Sequence, residues 1–503
     1  MRQISGADAL IGNILIVNFV AAVTTIMVVP FVFPGANVPL AVLLAMVPSF
    51  ALATVYVLFA LAMPRSGGEY VYVSRVFHPA VGFAANFSFT VWNILFGGLL
   101  VHQFTSVYLS SFCTSIGWTA GANAASETWV ILAVGAVLIL ATTIPVMWGT
   151  RLAMRAMKAT FYIGAVLLGI TLVVLAVRGH DAFVSSVNEQ ASYQGVINEA
   201  RGNEAAGGGT SLSSTLQAVA LISLTTLFVV SSTYTTGEVE DVRRSVPRAV
   251  YGSALIGGLA VALMAFLATQ VWGTDFLAAA GSLADAGPAS YPLEQEPSFA
   301  YFSVLTQGGW PFAVAVNLSF LCLIVGNLLF GTVTISRCLA AWSMDGIGPS
   351  RLGKLNARHR TPRNAVAAFT VLSLAALVYY AFNDNVTFLA GATLGFISTF
   401  LTVAAAAIVF PYRRREQYEG SAADRRVLRL PAIAVAGAAT ALLLGAMVAA
   451  FLANDAFDAN GITGLLFLGG YWVLGLALFA AYRARRRRQG VPFDLAFKEL
   501  SAR

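Results

Sequence analysis

About twelve long apolar runs constrain the fold of this chain more than any other feature of its sequence. A helix of about 20 apolar residues is long enough to cross the hydrocarbon core of a bilayer. Hydrophobic residues make up 58% of the chain and charged residues only 11%, whereas a soluble globular protein has about 25% charged residues. The composition therefore excludes a water-soluble enzyme, a disordered protein and a nucleic-acid-binding module.

We predict an all-α polytopic membrane protein with about 12 transmembrane helices, which we number as spans 1 to 12. The apolar runs lie near residues 10–33, 39–63, 81–112, 128–149, 158–177, 214–236, 249–272, 312–342, 364–382, 386–411, 430–453 and 463–482. The first run is too long for a cleavable signal peptide and leads directly into a second span, so we expect it to stay in the mature protein. Only Cys113 of the three cysteines lies near an outer loop, which leaves no disulfide framework.

The basic residues are distributed unequally between the two sides of the predicted bundle. If the amino terminus is cytoplasmic, 28 of the 30 lysines and arginines fall in cytoplasmic segments, and only Arg178 and Arg201 fall outside. Such an excess of positive charge sets the orientation of a membrane protein. We therefore expect a multi-pass protein of the plasma (cell) membrane with both termini in the cytoplasm. The net charge of +7 is then an orientation signal, and no nucleic acid is expected as a partner.

Three of the predicted inner loops carry distinctive residues. Pro64–Arg75 follows span 2, Gly237–Ala249 follows span 6, and a segment from Ser336 to Pro362 follows span 8. All three, in this order among twelve spans, resemble the cytoplasmic signatures of the amino acid–polyamine–organocation (APC) permeases. The loop residues that we assign to a gating or cytoplasmic motif are Arg65, Gly67, Gly68, Glu69, Glu238, Arg337 and Asp345. The two glycines allow a tight turn, and the five charged residues form either a charge network that holds the inner face together or an inner gate whose pairs break during transport.

The resemblance implies two inverted five-helix repeats of the LeuT-like (APC) fold, working by alternating access. The ten-helix core would be 1–411, with repeats 1–177 and 214–411. Outside the core we expect extracellular loops at 178–213 and 273–311, the second with a short helix at Phe299–Leu305, peripheral helices 11 and 12 in 430–482, and a basic tail at 483–503. The implied function is a secondary active permease for amino acids or related small organic cations, not an enzyme. A permease for another small nitrogenous solute, and a solute-sensing transceptor with little transport, are the alternatives.

Substrate in such a fold lies near the bilayer midplane, where spans 1 and 6 are unwound. The glycine-rich motif that breaks span 1 in the family is absent between Leu10 and Phe33. Counting from Pro64 puts the break at Phe19–Val23, and matching Pro30 puts it at Val23–Ile26, so we take Asn18–Thr25 as the window. The substrate-binding candidates in spans 1 and 6 are Asn18, Ala21, Ala22, Val23, Thr24, Thr25, Leu224, Thr225, Thr226 and Phe228. Threonine hydroxyls also commonly bond back to the preceding helical turn.

Polar side chains in two other spans add candidates. Asn93 in span 3 and Asn327 in span 8 are assigned to substrate binding, although a small-residue packing seam between helices is the preferred explanation for Asn327 and Gly331 in span 8. His102 in span 3 is a candidate for proton or substrate handling, because an ionisable residue within a span is a functional hypothesis by default. A hydrogen bond at a helix seam is the alternative role for this histidine.

The coupling ion is left open by the sequence. Some members of the family carry a buried lysine in span 5 in place of a sodium site, but that position is Gly164 here and Lys158 lies nearer the cytoplasmic end. We see no acid in the interior of any span, so Na⁺, H⁺ and simple exchange all stay open. No resident metal or other cofactor is expected. The expected partners are an amino acid-like small molecule and membrane lipid, with the protein a monomer or a homodimer.

The predicted orientation can be tested by cysteine labelling. In intact cells, a membrane-impermeant thiol reagent should modify a cysteine placed at Gly208, in the loop after span 5, and should not modify one placed at Gly420, after span 10. Permeabilised cells provide the control, because both sites should then react. Labelling of the Gly420 site alone in intact cells would show that the topology is the reverse of the predicted one.

Overall fold

The computed structural model describes residues 3–202, 210–287, 290–359, 361–383, 388–454, 461–490 and 497, without the side chains of 388–391 and 462–468. Among these residues, eleven helices are long and apolar enough to cross a membrane. Their bounds are Gly6–Val32, Val38–Ala62, Pro79–Ser115, Thr128–Trp148, Thr150–Gln190, Leu212–Glu238, Val242–Trp272, Trp310–Met344, Arg363–Ala381, Ala392–Arg413 and Ala432–Ala453. The helix that contains the tenth of these begins at Phe388. A further long helix, Ile462–Arg488, covers the predicted span 12. The protein is thus an all-α polytopic membrane protein, as predicted.

Three of the spans are internally irregular. Span 1 consists of two helices, Gly6–Ile16 and Phe19–Val32. Span 3 passes from an α-helix, Pro79–Gln103, through one π-helical stretch, Phe104–Leu109, to a last helix, Ser110–Ser115. Span 6 is α-helical over Leu212–Thr226 and 3₁₀-helical over Leu227–Glu238.

The interrupted spans 1 and 6 occupy the middle of the bundle. In both, 78% of the residues in the most apolar stretch are buried inside the protein, against 22% in span 5. Span 1 packs against spans 7 and 8 and against the 3₁₀ half of span 6, while span 2 packs against spans 6, 7 and 11. Irregular backbone at membrane depth is tolerated where protein covers it, so this central position allows both helices to be broken.

Span 5 differs from the prediction, because its helix covers Thr150–Gln190 instead of 158–177. Gly179, with φ 69°, kinks this helix beyond Arg178. The segment 178–213 that we predicted as a loop therefore contains helical turns up to Gln190 and a second helix, Tyr193–Gly202. The three glycines at 207–209 lie outside the described residues.

Short helices also fill the predicted loop at 273–311. They are Thr274–Asp285 and Phe299–Gln307, and the second confirms the helix that we expected from Phe299 onward. Trp272 lies at their centre, where its indole nitrogen donates to Thr306 Oγ1 at 3.1 Å and its ring packs edge-on against Phe299. An aromatic cluster around this tryptophan, with Phe183, Phe276 and Phe302, covers this end of the bundle.

Two short helices and a pair of strands lie at the end of the bundle opposite the Trp272 cluster. They are the helices Glu69–Val76 and Arg415–Tyr418 and an antiparallel pair of two-residue strands, β1 (Arg426–Val427) and β2 (Leu430–Pro431). A further helix, Thr119–Ala125, links spans 3 and 4.

At the amino terminus, the amides of Gln3 and Ile4 donate to the Glu238 carbonyl at 2.8 and 3.0 Å, which ties the start of span 1 to the end of span 6.

Arginines from distant parts of the sequence meet at this second end. Arg414 Nε donates to the carbonyl of Arg75 at 2.7 Å, and Arg486 Nε donates to the carbonyl of Gly346 at 3.2 Å. We call this end the basic face and define it by Arg75, Arg337, Arg414 and Arg486. Arg178 and Arg201 lie at the other end, where they bond Gln307 and Asp275 respectively. The two arginines that the sequence analysis separated from the rest are therefore also separated in space from the basic face.

Candidate functional site

Span 1 is broken at Asn18. This residue has φ 60° and ψ 78°, a left-handed conformation that asparagine tolerates better than most other residues with a side chain. Its side-chain oxygen accepts a hydrogen bond from the Ala21 amide at 3.2 Å and so caps the helix Phe19–Val32. The break is thus at the first residue of our window. Both counted positions, Phe19–Val23 and Val23–Ile26, are wrong because those residues are helical.

Two further asparagines satisfy the backbone groups that the interruptions release. Asn327 Nδ2 in span 8 donates to the Leu15 carbonyl at 2.9 Å, at the end of the first half of span 1. The Asn13 amide group bridges to span 6, where its Oδ1 accepts from the Ser232 amide at 2.6 Å and its Nδ2 donates to Ser232 Oγ at 3.0 Å. Our sequence analysis missed Asn13, although an amide side chain within an apolar run was the available signal.

The second half of span 6 is a 3₁₀-helix of 12 residues, whereas runs beyond three or four residues are uncommon. Its hydroxyl side chains bond within the segment. Ser231, Thr233 and Thr235 each donate to the carbonyl three residues earlier, at 2.7 to 2.9 Å. These hydroxyls therefore have acceptors within the 3₁₀ segment itself or at its start. The change from α to 3₁₀ winding after Thr226 lies inside the predicted window Leu224–Phe228.

The four threonines proposed for the site use their hydroxyls structurally. Thr24 and Thr25 bond back to the carbonyls of Val20 and Ala21 at 3.0 and 2.8 Å. Thr225 bonds back to the Ile222 carbonyl at 2.8 Å, and Thr226 donates to the Ala45 carbonyl of span 2 at 3.2 Å. Thr24, Thr25 and Thr225 thus bond back to their own helices, which is the alternative role that we had noted for threonine, whereas Thr226 ties span 6 to span 2.

A cavity opens beside the two interruptions, between spans 1, 3, 6, 8 and 9. It brings together five of the predicted residues, Asn18, Asn93, Leu224, Phe228 and Asn327. The other lining residues are Ile16, Phe96, Gly97, Leu100, Leu328, Gly331, Thr332, Ile335 and Phe369. The other span 1 and span 6 candidates, Ala21, Ala22, Val23, Thr24, Thr25, Thr225 and Thr226, are not part of this lining.

Hydrogen-bonding capacity in the cavity is concentrated in asparagine side chains. Asn93 Nδ2 and Asn327 Nδ2 are both engaged with main-chain carbonyls, of Phe89 and Leu15. Asn18 is 5% exposed, and within the described part of the chain its Nδ2 has no hydrogen-bond partner. A buried donor without an acceptor costs about 1–3 kcal/mol, so Asn18 favours a ligand that presents an acceptor at this point.

One helix end contributes to the electrostatic field of the cavity. The helix Phe19–Val32 begins at Asn18, and free amides at a helix N-terminus carry partial positive charge. The helix Leu212–Thr226 passes directly into the 3₁₀ segment Leu227–Glu238, and the Leu227 amide bonds the Ser223 carbonyl across the junction. The lining side chains themselves are uncharged. The arrangement suits a small molecule with a negative group at the helix start and an apolar remainder.

The motif residues of the basic face form two ion-paired clusters. In the first, the Asp345 carboxylate accepts from Arg65 at 2.9 Å and from Arg75, which is 1% exposed, at 2.7 Å. In the second, the Arg337 guanidinium pairs with Glu238 at 2.8 Å, and its Nη2 donates to Thr150 Oγ1 at 3.0 Å. Arg65, Glu238, Arg337 and Asp345 therefore interact much as predicted, while Arg75 and Thr150 were missed.

The two motif glycines allow close contact between this loop and span 6. Gly67 and Gly68 have φ 122° and 54°, and a Cβ atom at Gly68 would lie 2.5 Å from the Tyr234 ring. Any larger residue at Gly68 would therefore push the loop away from the 3₁₀ segment.

Glu69 does not join the charge network that we predicted for it. The residue is fully buried, and no arginine or lysine in the described ranges pairs with it. Its carboxyl oxygens accept hydrogen bonds from the Tyr56 hydroxyl at 3.2 Å and from Asn86 Nδ2 at 2.6 Å. Burial raises the pKa of Glu69 from 4.5 to about 7. The prediction failed because neutral groups of spans 2 and 3 enclose this residue.

The residues considered for ion coupling lie away from the cavity lining. The ring of His102 contacts Ser106 Oγ one turn later, with Nδ1 at 3.3 Å. Lys158 Nζ pairs with Asp8 at 2.9 Å, near the amino-terminal end of span 1. Gly164 packs directly against span 8, where a Cβ atom would lie 2.8 Å from Leu323. None of the three lines the cavity.

Comparison with known proteins gives two matches. A family model described as amino acid permease matches residues 9–473. The branched-chain amino acid permease BcaP of Lactococcus lactis subsp. cremoris (strain MG1363) is 24% identical over 472 residues, which cover 91% of this chain and 89% of that relative.

The break in span 1 predicts a specific pattern of stability. Asn18→Gly should change the unfolding temperature little, because glycine adopts φ 60° freely and loses only the cap. Asn18→Val should destabilise the protein by about 1–3 kcal/mol, because a β-branched residue is strained in this conformation. Thermal unfolding in detergent measures both. Thr24→Val is the helical control and should cost less than Asn18→Val. Equal unfolding temperatures for the glycine and valine variants at position 18 would contradict the left-handed break.

Proposed function

Because the chain belongs to the amino acid permease family, we propose that it carries a small apolar amino acid through the cavity at its two helix breaks. It is a multi-pass amino acid transporter and not an enzyme. The observation that most directly supports this substrate class and this route is the uncharged, largely apolar lining beside the start of the helix Phe19–Val32.

The cavity has groups for each part of an amino acid. The substrate carboxylate would lie at the start of the helix Phe19–Val32, where it accepts from the free amides and from Asn18 Nδ2. The ammonium group would face carbonyl oxygens beside Leu224, where span 6 changes from α to 3₁₀ winding. A helix start suits this site as the partner of the carboxylate because the cavity lining contains no charged side chain.

The apolar part of the lining limits the substrate side chain. Phe96, Leu100, Phe228, Ile335 and Phe369 would surround it. A lysine or polyamine ammonium placed here would be buried without a carboxylate, and an unpaired buried charge is strongly unfavourable. This favours leucine, isoleucine or valine over organic cations, and the name of the relative in Lactococcus lactis agrees with that choice.

We further propose that the basic face is the cytoplasmic one and that the protein resides in the plasma membrane. The bias of 28 basic residues to 2 supports this orientation. Large apolar side chains on spans 4, 5 and 7 project outward and would contact lipid. Examples are Val137, Val166, Val173, Leu259 and Leu263. A monomer and a homodimer both agree with this arrangement.

Alternating access then assigns a role to the ion pairs of the basic face. Asp345 and Arg337 belong to the end of span 8, whereas their partners lie in the loop after span 2 and at the end of span 6. A path from the cavity to the basic face must separate these elements. We therefore assign the two clusters to the inner gate, closed in this structure.

Binding and uptake measurements test this function. A ligand stabilises the folded protein by mass action, by about 2.7 kcal/mol at 100 times its Kd. Leucine, isoleucine and valine should therefore raise the unfolding temperature of the purified protein, and lysine and putrescine should not. Radiolabelled leucine should also accumulate in proteoliposomes. Stabilisation without uptake would identify a sensor, and stabilisation by putrescine alone would refute the proposed substrate class.

Two neighbouring glycines provide a sharp test of the cavity. Gly97 lines it, and a Cβ atom there would meet nothing within 4 Å, whereas a Cβ at Gly98 would lie 2.8 Å from Ala376 of span 9. Gly97→Leu should fill the cavity and abolish leucine binding while the fold is retained. Gly98→Leu should instead destabilise the fold by overpacking, at a cost of about 1–3 kcal/mol.

Gly169→Leu is the control for these variants. Gly169 is exposed on span 5, and a Cβ there also meets nothing within 4 Å. Leucine at this position should affect neither stability nor binding. Normal leucine affinity in the Gly97→Leu protein, measured by thermal shift and by uptake, would show that the substrate binds elsewhere.

A further inference from the structure

Glu69 lies in an unusual place for a carboxyl group. It begins the short helix Glu69–Val76, between spans 2 and 3, and is fully buried. Its two hydrogen-bond donors come from different spans, Tyr56 from span 2 and Asn86 from span 3. The side chain thus lies where the loop after span 2 meets the bundle, apart from the ion pairs already assigned to the gate.

The groups that face Glu69 are almost all neutral at physiological pH. The titratable ones are Tyr56, Tyr72, Tyr234 of span 6 and Cys338 of span 8. Span 10 contributes phenylalanine, with Phe400 edge-on to Tyr56. The arginines nearest in sequence, Arg65 and Arg75, are both bonded to Asp345.

This environment favours the protonated acid. Burial penalises the charged form of a carboxyl group, and neutral donors compensate less than a paired cation would. Asn86 Nδ2 donates to Oε1 at 2.6 Å, and the carbonyl oxygen of a protonated acid can accept this hydrogen bond as well as a carboxylate can. The second oxygen, 3.2 Å from the Tyr56 hydroxyl, can carry the proton and then donate it to the tyrosine oxygen.

The burial of Glu69 depends on contacts that the gate holds together. Tyr234, which faces Glu69, belongs to the 3₁₀ segment that ends at Glu238, and Glu238 is paired with Arg337. Gly68 packs directly against the Tyr234 ring. When the ion pairs break and span 6 separates from the loop after span 2, water reaches the carboxyl group.

We propose that Glu69 is a proton-binding site linked to the basic face, which holds a proton while that face is closed and releases it to water when the face opens. The released proton leaves a carboxylate on Glu69, and the next closure requires a proton to return. The inference rests on the proposed function only in that opening of the basic face is a step of transport.

The sign of the pH effect follows from the two environments. With a pKa of about 7 when closed and the ordinary 4.5 when hydrated, protonation favours the closed face. The closed-to-open ratio should be about tenfold higher at pH 6 than at pH 8. The stabilisation of the closed state is lost as the pH rises through about 7.

Infrared spectroscopy tests the site without any amino acid. The carbonyl band of a protonated carboxylic acid should disappear from the wild-type spectrum with a midpoint near pH 7, and the Glu69→Gln protein should lack that band. Glu240→Gln is the control, because Glu240 is an exposed carboxylate on the same face. A band that persists in Glu69→Gln, or titrates near pH 4.5, would overturn the proposal.

Transport provides the second readout. With pH varied only on the basic face of oriented proteoliposomes, leucine release to that side should rise several-fold from pH 6 to pH 8 in the wild type and in Glu240→Gln. In Glu69→Gln, which resembles the protonated acid, release should be slow and independent of pH. Unchanged pH dependence in Glu69→Gln would refute the link. Failure of leucine to bind would refute the proposed substrate while leaving the infrared result intact.

A second variant covers the case in which Glu69→Gln does not fold. Tyr56→Phe removes one donor to the carboxylate, which should destabilise the ionised form further and move the infrared midpoint to higher pH. A midpoint that is unchanged in Tyr56→Phe would show that the titrating band is not that of Glu69.

Discussion

An unpaired amide or carbonyl group at membrane depth costs several kcal/mol. Spans 1 and 6 lose regular α-helical winding at that depth, and the rest of the bundle is arranged around them. Asn13, Asn18 and Asn327 bond backbone groups at and around the interruptions. Because Asn13 and Asn327 reach across to other spans, they also fix the positions of spans 1, 6 and 8 relative to one another. Asn18 and Asn327 also line the cavity, so these two residues belong both to the packing of the interruptions and to the candidate site.

The basic face combines two kinds of buried charge. Arg75 and Arg337 are almost fully buried but paired, so that removing Asp345 or Glu238 would leave an uncompensated cation. Glu69 is buried and, within the described ranges, has no paired cation, which favours its neutral form. The paired charges resist opening at any physiological pH, whereas the lone acid makes part of that resistance depend on pH. One face therefore has both a fixed and an adjustable contribution to its closure.

The sequence was sufficient for the spans, the segregation of Arg178 and Arg201, and the approximate regions of both breaks. It was insufficient to predict the residue at which span 1 breaks. Counting from Pro30 assumes a fixed distance between this proline and the break, and this chain does not keep that distance, because Pro30 lies inside the helix Phe19–Val32. Sequence alone did not show that the hydroxyls of Thr24 and Thr25 bond back to their own helix and that these residues lie outside the cavity lining. The environment of Glu69 was not predictable, since it is formed by Tyr56, Asn86 and Tyr234, which lie far apart along the chain.

The winding of span 6 also determines its length. The 12 residues Leu227–Glu238 rise about 2.0 Å each as a 3₁₀-helix and would rise about 1.5 Å each as an α-helix. The segment is therefore about 6 Å longer than its α-helical form. Rewinding alone would withdraw Glu238 from Arg337 by more than the length of their ion pair, with no tilt of the helix axis. Span 6 is thus extensible, and a change of helical pitch is sufficient to uncouple its end from span 8.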